Sequence, residues 1–159
     1  MVDKTQNVVI AAFTEDHANR LTGVSLRQLR YWSQDGFFKP SLEMQGEGEP
    51  SLRLYSFRDL VCLKIISQLR NESRVPLSNL KETKERLAHL GDDVWAKTTL
   101  YVLNKRVVFE NPETGEKEDA ANGQGVLQIP LQVVTGDMAE AVRALRRRPD
   151  NSIGQIDAK

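Results

Sequence analysis

Residues 13–40 read FTEDHANRLTGVSLRQLRYWSQDGFFKP, and the fold turns on how this stretch divides. Thr14 is a good helix N-cap, and Glu15 and Asp16 follow in the first turn, where the helix dipole favours acidic side chains. Ala18 and Leu21 are three apart and face one way. Thr22-Gly23-Val24 reads as a tight turn, with Gly23 free to take positive φ. Ser25 caps a second helix that runs to about Gln34 and stops at Asp35-Gly36. Two short helices joined by a Gly-containing turn describe either a helix-turn-helix or any αα-hairpin, and spacing alone does not choose between them.

The residues that follow shift the balance. Phe37-Phe38-Lys39-Pro40 leaves the helix as an extended apolar stretch, because proline disfavours a helical residue before it. Residues 41–50, SLEMQGEGEP, read as a polar loop, and Leu52-Arg53-Leu54-Tyr55 alternates like a strand. Together they suggest a two-stranded wing. Ser56 caps another helix, FRDLVCLKIISQLRNE, with Leu60, Leu63, Ile66 and Leu69 at helical spacing. Arg74-Val75-Pro76-Leu77 interrupts it. Ser78 is expected to cap a further helix, NLKETKERLAHL, closed by Gly91.

Beyond Gly91 the apolar period becomes two. Thr98–Leu103 and Arg106–Glu110 flank Asn104-Lys105, and a two-residue loop beginning with Asn suits a type I′ hairpin. That turn pairs Leu103 with Arg106, Val102 with Val107, Tyr101 with Val108 and Leu100 with Phe109. One face is then Leu100, Val102, Val107 and Phe109, and the other carries Tyr101, Leu103 and Val108. Both are largely apolar, so one packs on this protomer and the other needs a cover. Residues 116–125 read as an exposed loop. Val126–Val134 reads as a third strand, with Pro130 placing it at an edge or bulge. Asp137 opens a final helix, MAEAVRALRRR, with Glu140 three residues on.

The expected architecture is α+β: an N-terminal winged helix-turn-helix, then a small antiparallel hairpin or three-stranded sheet, then a C-terminal helix. Residues 1–12 form an arm or a short strand, 13–91 the winged domain, 92–148 the sheet and helix, and 149–159 a tail or linker.

Composition narrows the classes of function. Of 159 residues, 40% are hydrophobic and 28% charged, an ordinary globular mixture. Lys plus Arg equals Asp plus Glu at 22 each, so any nucleic-acid affinity must come from basic residues gathered on one face. Cys62 is the single cysteine, so no intramolecular disulfide framework exists. No signal-peptide pattern and no apolar run of about 18 residues is present, and the protein is expected to be cytoplasmic with no membrane partner. Cys62 sits among Leu60, Leu63 and Ile66 as a small core residue, and His17 and His89 lack partners at ligand spacing. No metal, no cofactor and no catalytic arrangement is expected, hence no enzyme.

Several linked motifs carry a resemblance. Thr22-Gly23-Val24-Ser25, Leu29-Arg30-Tyr31-Trp32, Gly36-Phe37-Phe38-Lys39-Pro40 and Arg53-Leu54-Tyr55 stand in the order and spacing of the DNA-binding domain of the MerR family, which residues 13–90 resemble. The second half departs from that family, whose members usually dimerise through one long C-terminal helix. The whole chain is similar to the N-terminal part of larger MerR-like proteins with a VapB-type antitoxin domain. Those proteins pair with PIN-like nuclease toxins. The Gly-Thr-Arg-Ile-Pro marker of that domain is absent, and Ile153-Gly154-Gln155-Ile156-Asp157 reads as the approach to such a domain.

At about 100° per residue, Leu26, Leu29 and Ser33 share one side of the second helix. Arg27, Tyr31 and Gln34 share another, with Arg30 flanking it and Gln28 beyond. The first turns of such a helix lie at base edges in the major groove. Arg27 suits guanine and Gln28 suits adenine. Arg30 and the Tyr31 hydroxyl suit phosphates; each also has a bland reading as surface charge or core aromatic. Trp32 reads as a core residue with its N–H at the edge. The resemblance implies backbone contacts for the matching Arg and Tyr and for Arg53, although a structural salt bridge is a rival for Arg53. The DNA-binding candidates are Thr14, Ser25, Arg27, Gln28, Arg30, Tyr31, Lys39, Arg53 and Tyr55. Glu43, Glu47 and Glu49 make the wing loop acidic, with no cation between Lys39 and Arg53, so the loop stays off the backbone.

Two functions compete. One is a homodimeric repressor of a palindromic double-stranded DNA operator, serving as the antitoxin of a toxin–antitoxin operon. The other is a protein-interaction module on the same scaffold, toxin-neutralising or adaptor, with little DNA binding. Modest affinity for one half-site makes dimerisation necessary in the first, and the second hairpin face and the last helix are the candidate interfaces.

Overall fold

Thr14 and Ser25 each hold the start of a helix in the way their side chains favour. The structure, a computed structural model, describes residues 12–44, 52–111, 116–117 and 127–147. Helix α1 spans Glu15–Thr22, and the Thr14 hydroxyl accepts from the His17 N–H at 3.2 Å while His17 Nδ1 accepts from the Thr14 N–H. Helix α2 spans Leu26–Asp35, and the Ser25 hydroxyl accepts from the Gln28 N–H at 3.0 Å. These bonds satisfy backbone donors that an uncapped first turn leaves open. Gly23 and Gly36 close the two helices at φ 83° and 89°, in the left-handed region where a Cβ is strained. Between the helices, Asn19 Nδ2 donates to the Val24 carbonyl at 2.8 Å, and buried Thr22 donates to the Ala18 carbonyl at 2.6 Å.

Strands β1 (Leu42–Met44) and β2 (Leu52–Leu54) pair antiparallel, which makes the expected wing. Its acidic tip at Glu47 and Glu49 lies outside the described residues. Phe13 and Tyr55 exchange backbone hydrogen bonds at 2.8 Å, so the entry to α1 is tied to the exit of β2. Leu29, Trp32, Phe37 and Phe38 are buried, and the Trp32 and Phe37 rings meet edge-to-face at 5.1 Å. Trp32 is therefore the core residue that its position suggested.

Helix α3 spans Phe57–Ser73, capped by Ser56, whose hydroxyl accepts from the Asp59 N–H at 3.0 Å. Leu60, Val61, Cys62, Leu63, Ile65, Ile66 and Leu69 are all buried, well beyond one stripe, as expected of a helix enclosed nearly all round. The chain forms two compact units, residues 1–63 and 64–159, and the division falls within α3.

In the second unit, α4 (Leu77–Ala88) begins after Pro76 rather than after Ser78. Proline has no N–H to leave unsatisfied at a helix start, and Ser78 lies inside the first turn. Gly91 does not close α4. It precedes a single-turn helix, α5 (Asp92–Trp95), that the sequence reading omitted. Strands β3 (Thr99–Leu103) and β4 (Arg106–Asn111) pair in the expected register, Leu100 with Phe109 through Leu103 with Arg106. Asn104 and Lys105 lie at φ 50° and 64°, as a type I′ turn demands.

Two further strands complete the sheet, β5 (Glu116–Lys117) beside β4 and β6 (Leu127–Pro130) beside β3, in the order β5-β4-β3-β6. The expected three strands are present, and residues 116 and 117 are strand rather than loop. Pro130 sits on an edge strand, where its missing N–H is harmless. Leu100, Val102, Phe109 and Ile129 are buried on one face. On the other, Tyr101 and Leu103 are half-buried, Val108 is buried, and the Tyr101 hydroxyl donates to Glu110 Oε1 at 3.0 Å.

The last helix corrects the sequence reading. Helix α6 spans Leu131–Arg147, so Val133 and Val134 are helical and Asp137 lies inside the helix instead of opening it. Tertiary bonds decide this against β-branched propensity. The Leu131 N–H donates to the Thr98 carbonyl at 3.0 Å, and the Thr135 hydroxyl donates to the Leu131 carbonyl while accepting from the Trp95 indole at 2.7 Å. Buried Leu131 and Met138 are seven apart, on one helical face.

Candidate nucleic-acid interface

The two sides of α2 differ sharply. Leu29, Trp32 and Ser33 are buried, whereas Arg27, Arg30 and Tyr31 are exposed and Gln28 is partly so. Tyr31 is 60% exposed, which is unusual for so large an aromatic ring. The caps fix where this side begins, since Ser25 holds the first turn and Gly36 ends the last. Ser25 and Thr14 are themselves exposed at helix N-termini, where free N–H groups and the dipole favour an anion.

Four of the nine candidates converge on one place. An open notch of about 370 Å³ is lined by Thr14, Glu15, Arg30, Ser33, Arg53 and Tyr55, among others. Arg30 Nε donates to Glu15 Oε1 at 3.2 Å, linking the start of α1 to the middle of α2. Arg53, on β2, extends Nη1 to the Ser33 hydroxyl at 2.9 Å. Its partner in that bond is a buried serine. Arg27, Gln28, Tyr31 and exposed Lys39 lie outside the notch, and Ser25 stands at the N-cap of α2.

Tyr55 is the most buried of the candidates that line the notch. It is 1% exposed and belongs to the core, because the Phe13 bridge holds its backbone inside the unit. Burial, and then the nearby Glu15 and Asp59 carboxylates, push its hydroxyl up to about 12 against a smaller opposing pull from Arg53. The phenol therefore stays neutral at any ordinary pH.

Three residues of this region escaped the sequence reading as site residues. From the sequence, Glu15 reads only as a dipole partner, and Ser33 only as part of the inner side. Asp59 Oδ2 accepts from the Ser41 N–H at 2.9 Å, the Ser41 hydroxyl at 2.6 Å and the Ser56 N–H at 2.9 Å, which ties the base of the wing to the start of α3. The Ser56-x-x-Asp59 spacing is a capping-box signal and marks it in retrospect. Cys62 is buried, and among the described residues no group of three His, Cys, Asp or Glu could hold a metal ion. None of the described helices is long and apolar enough to cross a membrane.

Two capped helices about a glycine turn, followed by a two-stranded wing and a third helix, define a winged helix-turn-helix. Residues 13–87 match the family described as MerR HTH family regulatory protein, and this part of the chain is a MerR-family helix-turn-helix domain. The chain is 33% identical over 124 residues to an uncharacterized HTH-type transcriptional regulator of Mycobacterium bovis. Two counterparts from Mycobacterium tuberculosis match equally. The alignment covers 77% of this chain and 52% of each relative, so the chain spans about half the length of the curated relatives it matches.

Proposed function

We propose that the chain is a DNA-binding transcriptional regulator that reads its site with the exposed side of α2. The observation that carries this reading is the division of α2, with Leu29 and Trp32 buried behind it and Arg27, Gln28, Arg30 and Tyr31 displayed in front. In a helix-turn-helix, that front enters the major groove. Arg27 donates to guanine and Gln28 pairs with adenine, each worth about 1–3 kcal/mol of discrimination. Arg30, the Tyr31 hydroxyl, Lys39 and Arg53 hold phosphates, and the N-termini at Thr14 and Ser25 add backbone donors.

The finer reading is a homodimeric repressor of a palindromic operator, since a two-fold protein matches half-sites about one helical turn apart. Its likeness to antitoxins with a MerR-like domain supports a place in a toxin–antitoxin operon, with a PIN-like nuclease as the partner toxin. The test is retention of the protein's own promoter fragment in gel shift. Arg27→Ala and Arg30→Ala are each expected to weaken retention by about tenfold, leaving binding that is still measurable at low salt, while circular dichroism stays unchanged; binding at the wild-type level by both variants contradicts the reading.

One observation favours the protein-interaction alternative: Arg30 and Arg53 already have partners within the unit. A stable protein partner combined with no promoter retention at low salt would select it.

A further inference from the structure

We propose that Glu15 is an internal competitor for the phosphate assigned to Arg30, and that it sets the strength and salt dependence of binding. The inference rests on the DNA-binding reading above. Glu15 opens α1 and Arg30 lies mid-way along α2, fifteen residues apart, yet Oε1 and Nε meet at 3.2 Å. The pair stands on the wall of the open notch that also receives Arg53, with Asp16 beside it. A helix N-terminus normally attracts an external oxyanion. Here α1 supplies anions of its own, Glu15 and Asp16, at that end.

The geometry gives the carboxylate two opposing effects on an incoming phosphate. Both partners are substantially exposed, 63% for Arg30 and 37% for Glu15, so the pair is weak and a phosphate oxygen can displace it. After displacement the Glu15 carboxylate still lies beside the bound phosphate and repels it. While the pair persists, Arg30 neutralises less phosphate charge and releases fewer counterions. The Glu15 charge also reaches Tyr55, another residue lining the notch, where it is the second cause after burial of the raised hydroxyl. Glu15 therefore lowers backbone affinity without touching a base, which leaves a larger share of recognition to Arg27 and Gln28.

The test measures promoter binding against salt for the full chain and for Glu15→Gln, Arg30→Ala and the double variant. Glu85→Gln, an exposed acid on α4, controls for net charge. Glu15→Gln is expected to tighten binding by about fivefold at low salt, and to steepen the log–log salt slope by about one. In the Arg30→Ala background the same change should gain less than about twofold, as should Glu85→Gln alone. No gain from Glu15→Gln, or an equal gain without Arg30, overturns the proposal. If neither wild type nor Glu15→Gln retains any promoter fragment, the DNA reading fails separately. The competition is then read with inorganic sulfate: the Arg30 Nε–H resonance should respond at lower sulfate in Glu15→Gln than in wild type, and equal responses overturn it.

Discussion

The two compact units turn their chains by different means. In the first, both left-handed positions among the described residues are glycines, Gly23 and Gly36, each at the end of a helix. In the second they are Arg74, Asn104 and Lys105, at φ 53°, 50° and 64°. Glycine takes this conformation without steric cost, whereas other residues are strained by about 1–2 kcal/mol. The helix-turn-helix therefore has its corners placed by local chemistry. The second unit holds at least two of its corners, Lys105 and Arg74, against local preference.

The largest effects test whether both units rest on comparable cores. Leu29→Ala in α2 and Leu100→Ala in β3 remove fully buried side chains, and each is expected to lower unfolding stability by about 2–5 kcal/mol in urea. A loss near zero at either site removes that residue from the core. Only Leu29→Ala should also weaken promoter retention at temperatures where the protein stays folded, because Leu29 seats the reading helix.

A smaller effect belongs to the first unit alone. The Tyr55 hydroxyl is raised to about 12 in the folded chain from 10.0, so folding favours its protonated form. The contribution is full below pH 10 and is lost as pH rises from 10 towards 12, on the order of 2–3 kcal/mol. Urea titrations at pH 9 and pH 11 should show the fall, and Tyr55→Phe should flatten it. An unchanged slope in Tyr55→Phe assigns the alkaline loss to other groups.

The smallest effects address the corners directly. Gly23→Ala should cost about 1–2 kcal/mol, because a Cβ is strained at φ 83° even though open space surrounds it. Lys105→Gly should add about 0.5–1 kcal/mol by completing an Asn-Gly turn. The opposite signs express the comparison in one pair of denaturation curves, and equal signs would dissolve it.

The same contrast governs what was legible beforehand. Thr14, Gly23, Ser25 and Gly36 mark α1 and α2 through local caps, and Asn104-Lys105 sets the β3–β4 register outright. What escaped depends on contacts remote in sequence. Val133-Val134-Thr135 has strand propensity, but Trp95 and Thr98 bind Thr135 and Leu131 and make the segment helical. Tyr55 continues the Leu52–Leu54 alternation towards an exposed contact, yet its bridge to Phe13, on the far side of both helices in sequence, buries it. In the candidate site the outward residues of α2 follow from helical spacing. The Glu15–Arg30 and Ser33–Arg53 bonds join different elements, so no local period announces them.

If α2 reads sequence, a specificity ratio shows it. Affinity for the native promoter fragment is compared with affinity for a scrambled fragment of equal composition, for wild type and Arg27→Ala at one salt concentration. Wild type should show a clear preference that Arg27→Ala reduces by about tenfold or more, with affinity for the scrambled fragment changed far less. No preference in wild type, or one that survives Arg27→Ala intact, would contradict that role for α2.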